Sequence, residues 1–527
     1  MPLFDTWPII LDVALVFLAV ALLLRLGPKY LASRSLILPP GPKGLPWVGN
    51  LRMLHQAQQR KWEVYAQWSK RWGRLTYLTS LGWRILIVNS KETAIELLER
   101  RGAIYCDRPS LYVVRLVELH NMIGLNDYDH GLRTSRQMVA QFIGSTAALK
   151  PLHSAFESES SRFLVMLLES PDDFADHVRT LLGRTILPFL YGYHPKMEGE
   201  DPVIRCAKRG MEAFDHVTDF GLFPVDVVPL LRYIPHWLPG GRWKHLIRPY
   251  KTALDEMGAV PFGFVKEQVL EGKAEPSFVS RNLECFGPRP TFEQEHHLKW
   301  TAAGVWAGKT DKLMSAAYQT PAVMSNFFLV MMLYPEAQAK AQAEIDRVVG
   351  HERLPMMEDR PNLPYVEALI KELLRFYPPV PLAFPHISRQ DDIYDGYLIP
   401  KSTMVIVNVW DIMRNSQYYS DPFTFNPERF IATSDREAEQ DPAKFVFGFG
   451  RRICPGRRFA DAIAFICIAK VLSVFNTAKP LDANGNPIEP AVDHEDGTVS
   501  HPRPFKCCFK PRSERAAVLA SDSIAHD

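Results

Sequence analysis

The sequence predicts a mainly α-helical body with a small β portion, preceded by a single N-terminal transmembrane helix. Three observations carry that expectation. Helical periodicity dominates residues 133–350. Runs of β-forming residues are short and few, as in Arg74 to Asn89, RLTYLTSLGWRILIVN. One segment, Ile9 to Leu24, is apolar apart from Asp12. The composition is that of a globular chain, 47% hydrophobic and 23% charged over 527 residues. With 61 basic and 59 acidic residues the formal net charge is +2, so the basic excess of a nucleic-acid binder is missing. Seven cysteines show neither zinc spacing nor a dense disulfide pattern, which suits a reduced compartment.

The N-terminal run rises about 24 Å as a helix, short of a hydrocarbon core of roughly 30 Å. Trp7, Pro8 and Leu26 extend it towards the required length, with Trp7 placed for an interface. Arg25, Lys29 and Arg34 follow it, which keeps the chain beyond residue 25 in the cytosol. A cleaved signal peptide fits less well, because the basic charge follows the run and no A-x-A site is evident. Residues 1–30 are therefore expected to form a membrane anchor. Leu38 to Asn50, LPPGPKGLPWVGN, carries four prolines that fix φ and remove backbone donors. That predicts a stiff proline-rich hinge over residues 31–50. Nothing in residues 51–527 demands a second core.

Within the body, two strands fall between Arg74 and Asn89 and a helix covers Glu92 to Arg101. Prolines 229, 235 and 239 break the helical pattern between Val225 and Gly241. Gly272 to Thr291 reads as a loop. One long helix is expected from Glu293 to Leu333, disturbed at Pro321. Helices follow at Pro335 to Val349 and Pro364 to Phe376. Short strands are expected at Val380 to Phe384 and Tyr397 to Val407. A helix from Arg457 to Asn476 and a hairpin close the chain.

Phe447 to Ala460 reads FGFGRRICPGRRFA. Cys454 lies just before the helix that opens at Arg457, a position that favours thiolate over thiol. Nearby glycines let backbone approach a flat ligand. From these residues alone, a proximal iron ligand and a buried structural cysteine are both open.

The segment also resembles the heme-binding signature of the cytochrome P450 family, F-x-x-G-x-R-x-C-x-G, at Phe447, Gly450, Arg452, Cys454 and Gly456. Glu372 to Arg375 resembles the family's E-x-x-R helix motif, and Pro427 to Phe430 its P-E-R-F segment. Motif order, spacing, anchor and hinge agree, so the resemblance covers nearly the whole chain. It is nearest to fungal microsomal members of secondary metabolism. The resemblance implies the cytochrome P450 fold and a heme-thiolate monooxygenase. Cys454 would hold the iron of heme b. Arg452 would pair with a heme propionate, and Arg136 and His386 match family residues at the heme edge. Ile387 stands where the family usually has Arg, and Leu132 stands where it has Trp. Glu372, Arg375 and Arg429 would form a structural charge network.

The long helix departs from the family pattern A/G-G-x-D/E-T-T/S. Tyr318 stands where an acid is expected, Gln319 where the first alcohol is expected, and Thr320 fits the second. Oxygen activation at a heme needs positioned proton transfer. Gln319 is no acid, and Tyr318 has an ordinary pKa of about 10. Thr320 is the remaining candidate for proton delivery. The alternative is heme-thiolate chemistry other than monooxygenation, or weak turnover.

Leu111 to Val117, residues 313–320, Val380 to Pro385 and Gly497 to Val499 are expected to line a pocket for a hydrophobic substrate, with a terpenoid as the resemblance-based choice. No G-x-G-x-x-G or P-loop is present. Electrons would come from NADPH through the flavins of an NADPH-cytochrome P450 reductase, with cytochrome b5 as a further partner. The anchor would sit in the endoplasmic reticulum membrane. A hydrolase is excluded by the absence of a G-x-S-x-G elbow and of H-E-x-x-H spacing.

Overall fold

The computed structural model describes residues 37–46, 48–57, 59–196, 201–218, 223–306 and 319–523. The expected anchor, most of the hinge before Leu38, and Tyr318 lie outside them. Among the described residues no helix is long and apolar enough to cross a membrane.

Helices dominate, as the periodicity predicts. Eight short strands are present among the described residues: β1 Leu75–Ser80, β2 Trp83–Val88, β3 His386–Ile387, β4 Asp392–Tyr394, β5 Tyr397–Ile399, β6 Thr403–Val407, β7 Phe475–Ala478 and β8 Cys508–Pro511. One sheet has the order β1-β2-β6-β3. Within it β1 and β2 are antiparallel, β2 and β6 parallel, and β3 and β6 antiparallel. The hairpins β4-β5 and β7-β8 stand apart. Leu81 and Gly82 turn β1 into β2 with positive φ at both positions, the geometry a two-residue hairpin loop requires.

Three expectations are corrected. Val380 to Phe384 is turn and irregular backbone rather than strand. Pro378, Pro379, Pro381 and Pro385 remove ladder donors there, and Ala383 sits at φ 51°. Tyr397 to Val407 is two strands in different sheets, divided where Ser402 takes φ 62°. The loop expected over 272–291 contains a helix, Phe278–Phe286. A reciprocal Ser277–Ser280 capping box starts it, and Phe278, Val279 and Leu283 are buried on one face. Where one long helix is expected, two helices are described, Phe292–Trp306 and Gln319–Leu333. Residues 307–318 lie outside the described residues.

The core is organised around the helix Arg457–Val474. Its middle, Phe459 to Leu472, is apolar on nearly every face and buried accordingly. The helices His153–Glu169, Gln319–Leu333, Pro335–Val348 and Pro364–Phe376 surround it. Cys454 is thus held at the entrance to a deeply buried helix.

A charge network fixes the segment that leads to this cysteine. Arg375 Nε and Nη2 donate to the two Glu372 carboxylate oxygens, each at 2.7 Å. Arg429 Nε lies 3.2 Å from the same carboxylate, and its Nη1 reaches Glu439 at 2.9 Å. Glu372, Arg375 and Arg429 are at most 1% exposed. The leftover guanidinium N–H groups donate to the Met413, Pro422, Asp421 and Thr424 carbonyls. Every donor of the fork is therefore used, which makes a buried pair tolerable. Glu439 is a fourth member that no motif announces. Glu372→Ala would leave two buried guanidiniums without their shared carboxylate. It is expected to lower stability by about 3–5 kcal/mol, read by urea denaturation; a loss below about 1 kcal/mol would show the network to be dispensable.

Candidate functional site

The loop before the helix Arg457–Val474 is tightly specified. Gly450 takes φ 48°, and a Cβ there would lie 2.3 Å from the Leu98 carbonyl oxygen. Only glycine suits that position. The Cys454 amide donates to the Phe447 carbonyl at 2.8 Å and closes the loop. Cys454 lines a cavity.

The cavity brings together all four residues expected to hold a cofactor: Cys454, Arg452, Arg136 and His386. It adds one that the sequence reading missed, Arg108. Arg108 Nη1 donates to the Phe384 and Pro385 carbonyls at 2.8 Å each, and Nε to the Gly124 carbonyl at 3.2 Å. Arg452 Nε donates to the Cys106 carbonyl at 2.6 Å and Nη2 to the Asn126 carbonyl at 2.5 Å. Its Nη1 is buried with no hydrogen-bond partner. Arg136 Nη2 donates to the Ile453 carbonyl at 2.9 Å, next to the thiol. His386 is buried and its Nδ1 meets the Tyr105 carbonyl at 2.7 Å. That nitrogen therefore carries the proton, and Nε2 is left as an acceptor in the neutral ring.

None of the three arginines forms an ion pair with a carboxylate among the described residues. Burial lowers the pKa of each; the charges of Arg452 and Arg136 add to this for Arg108, whereas at Arg452 the nearby Cys106, Asp107 and Asp127 act against it and Arg136 with it. Arg452 falls to about 10. His386 is likewise pushed well down by burial and then by Arg108. Buried cations without counterions are costly. The wall is built for an anion, and a group with two carboxylates would match it.

Cys454 departs from expectation in one respect. Burial pushes its thiol up to about 11, outweighing the Gly456 N–H and the nearby Arg136 and Arg457, which act in the other direction. The helix start alone does not make a thiolate here. A bound cation would, because metal ligation deprotonates a thiol.

The rest of the wall is apolar. Val139, Ile143, Ile186, Phe189, Leu190 and Phe214 contribute to it. Val380, Ala383, Phe384 and Val499 line it as expected. The stretch Leu111 to Val117 does not line it; Met122 to Leu125 takes that place, with Gly304 and Val305 opposite in sequence on the helix Phe292–Trp306. The helix Tyr112–Leu116 instead turns Val113 and Val114 into the core. Gln319 and Thr320 begin the described part of the helix Gln319–Leu333; Tyr318 lies outside the described residues.

Arg108 left no mark in the sequence because it stands in CDRP, far from every motif, with no spacing rule to select it. The two carbonyls that hold its Nη1, those of Phe384 and Pro385, come from an irregular stretch far along the chain.

A family model described as cytochrome P450 matches residues 265–509. A cytochrome P450 monooxygenase 208 of Postia placenta is 41% identical, covering 97% of this chain and 97% of its own. The cytochrome P450 monooxygenase claR of Ampulloclitocybe clavipes is 38% identical over 97% of this chain and 93% of its own. An O-methylsterigmatocystin oxidoreductase of Aspergillus flavus is 34% identical over 90% and 88%. With a cysteine loop, a buried E-x-x-R network and a cationic cavity wall in place, these likenesses show that the chain belongs to the cytochrome P450 family.

Proposed function

We propose that the chain is a heme-thiolate monooxygenase that oxidises a hydrophobic secondary metabolite, with terpenoids as the first class to test. Oxidoreductase activity of the P450 monooxygenase type on a lipophilic substrate follows from the family. The observation that carries the finer reading is the cavity wall, on which the buried Arg108 and Arg452 and the half-buried Arg136, without ion-paired acids among the described residues, share one space with Cys454. Heme fits that wall: two propionates answer the cationic groups, and the sulfur answers the iron. When bound, heme supplies activation of dioxygen and insertion of one oxygen atom into the substrate, using electrons from NADPH passed on by a flavoprotein reductase.

The chain's own residues do the rest. Cys454 would hold the iron as a thiolate. Arg136 would keep the sulfur charged and the loop fixed through the Ile453 carbonyl. Arg108 and Arg452 would clamp the propionates with charge-assisted hydrogen bonds, and the propionate charge would favour protonation of His386 at Nε2, which could then donate as well. The apolar wall would exclude water and take up the substrate by burial of its hydrocarbon. Thr320 would position the proton source, since Gln319 and Tyr318 are poor acids at neutral pH. Residues 1–30 would anchor the protein in the endoplasmic reticulum membrane, residues 31–50 would act as the hinge, and residues 51–527 would form one catalytic domain facing the cytosol. The reductase, and cytochrome b5 beside it, would meet that domain there.

Three outcomes are expected. The reduced, carbon-monoxide-bound difference spectrum should show the long-wavelength band of a thiolate-ligated heme, and Cys454→Ser should lose it; a short-wavelength band in folded wild-type protein would refute the assignment. Arg108→Leu and Arg452→Leu should each weaken heme retention by about tenfold or more, the worth of one charged hydrogen bond, read by transfer of heme to apomyoglobin. Thr320→Ala should cut product formed per NADPH by about 100-fold, read with a panel of terpenoids and with O-methylsterigmatocystin, the compound for which one relative is named. Unchanged coupling would place proton delivery elsewhere.

A further inference from the structure

A second cleft lies apart from the cysteine cavity and shares none of its lining. It holds about 340 Å³ between the end of the helix Pro202–Thr218 and the start of the helix Trp243–Leu270. His216, Phe223, Arg242, Trp243, Leu246 and Tyr250 line it. Its polar groups are one-sided. Trp243 is 5% exposed, and its indole N–H is buried without an acceptor. Such a donor is costly to leave unmade. The Arg242 side chain makes no hydrogen bond or ion pair among the described residues. Among the described residues no aspartate or glutamate lines the cleft. His216 stacks on Tyr250 at 5.2 Å, with its Nδ1 on the Glu212 carbonyl at 2.7 Å.

The remaining lining is hydrocarbon and ring surface. Trp243 is rigid, since its ring lies edge-on against Tyr112 with centroids 5.9 Å apart. Leu246 is 61% exposed, so a hydrophobic chain entering the cleft would find a partner already in place. The ligand that satisfies both halves has an apolar tail and a head that only accepts hydrogen bonds and carries negative charge. One arginine and one indole N–H suit a single carboxylate rather than a multiply charged phosphate.

We propose that this cleft binds a long-chain aliphatic carboxylate, with its head on Arg242 and the Trp243 N–H and its tail along Leu246 and Phe223. The site is separate from the cysteine cavity, so it can be filled while that cavity is blocked.

The test uses the full-length, heme-loaded protein in phosphatidylcholine nanodiscs and a diazirine-bearing dodecanoic acid as photoaffinity probe. With 4-phenylimidazole saturating the heme cavity, peptides spanning residues 216–250 should still be labelled. Dodecanoate should compete and dodecanol should not. Arg242→Gln and Trp243→Phe should each raise the half-saturating probe concentration, by about tenfold for the arginine, with the carbon-monoxide spectrum unchanged as the fold control. Labelling abolished by 4-phenylimidazole would overturn the proposal. Equal competition by dodecanol, or indifference to both substitutions, would overturn it too. So would labelling obtained only from a diazirine-bearing phosphatidylserine in the disc, which would make the cleft a membrane contact. The two substitutions decide the matter even if Cys454 holds no heme.

Discussion

Three guanidiniums on one cavity wall, two buried and one half-buried, with no carboxylate paired to any of them among the described residues, set the terms for the rest of this structure. Desolvation and mutual repulsion act in the same direction on Arg108 and Arg452. The protein meets part of that cost with carbonyls. Cys106, Asn126, Gly124, Phe384, Pro385 and Ile453 each turn a backbone oxygen towards one of the three arginines. These carbonyls come from four separate stretches of chain. The folding of each stretch is therefore tied to the same cluster. Carbonyl dipoles satisfy the hydrogen bonds but leave the net charge, and the free Nη1 of Arg452 marks where an anion is still needed.

The Glu372 network answers the same problem in the opposite way. There the buried charges are balanced within the protein, by two carboxylates against two guanidiniums, with every remaining N–H given to a carbonyl. Nothing is left for a ligand, and the result is a fixed joint between the helix Pro364–Phe376 and the segment that runs to the cysteine loop. One buried cluster is closed and structural, while the other is open and waits for a partner. The difference follows from the presence or absence of acids alone, and it separates a scaffold from a binding site without reference to any motif.

Much of this was legible in the sequence. Cys454, Arg452, Arg136 and His386 were legible through their resemblance to the family's motifs, and they line one cavity. The Glu372, Arg375 and Arg429 trio was readable for the same reason. What escaped was long-range or sterically subtle. Arg108 reaches the site only through contacts with residues 124 and 384–385. Glu439 joins its network from a loop without periodicity. The helix Phe278–Phe286 is short enough that flanking glycines and prolines hid it. Val380 to Phe384 has the apolar look of a strand, but its prolines cannot donate to a ladder. The apolar run Leu111 to Val117 faces the core rather than the cavity, a distinction that hydrophobicity cannot make.

The thiol completes the argument. A helix start and two arginines favour the charged sulfur, yet burial holds Cys454 at about 11. At neutral pH that thiol is protonated, beside guanidiniums that no carboxylate pairs among the described residues. A group bearing a metal ion and carboxylates would answer both: ligation would deprotonate the thiol, and the carboxylates would pair with the arginines. Binding energy at such a site would in part be folding energy. The helix Arg457–Val474, buried along most of its length, begins three residues beyond Cys454.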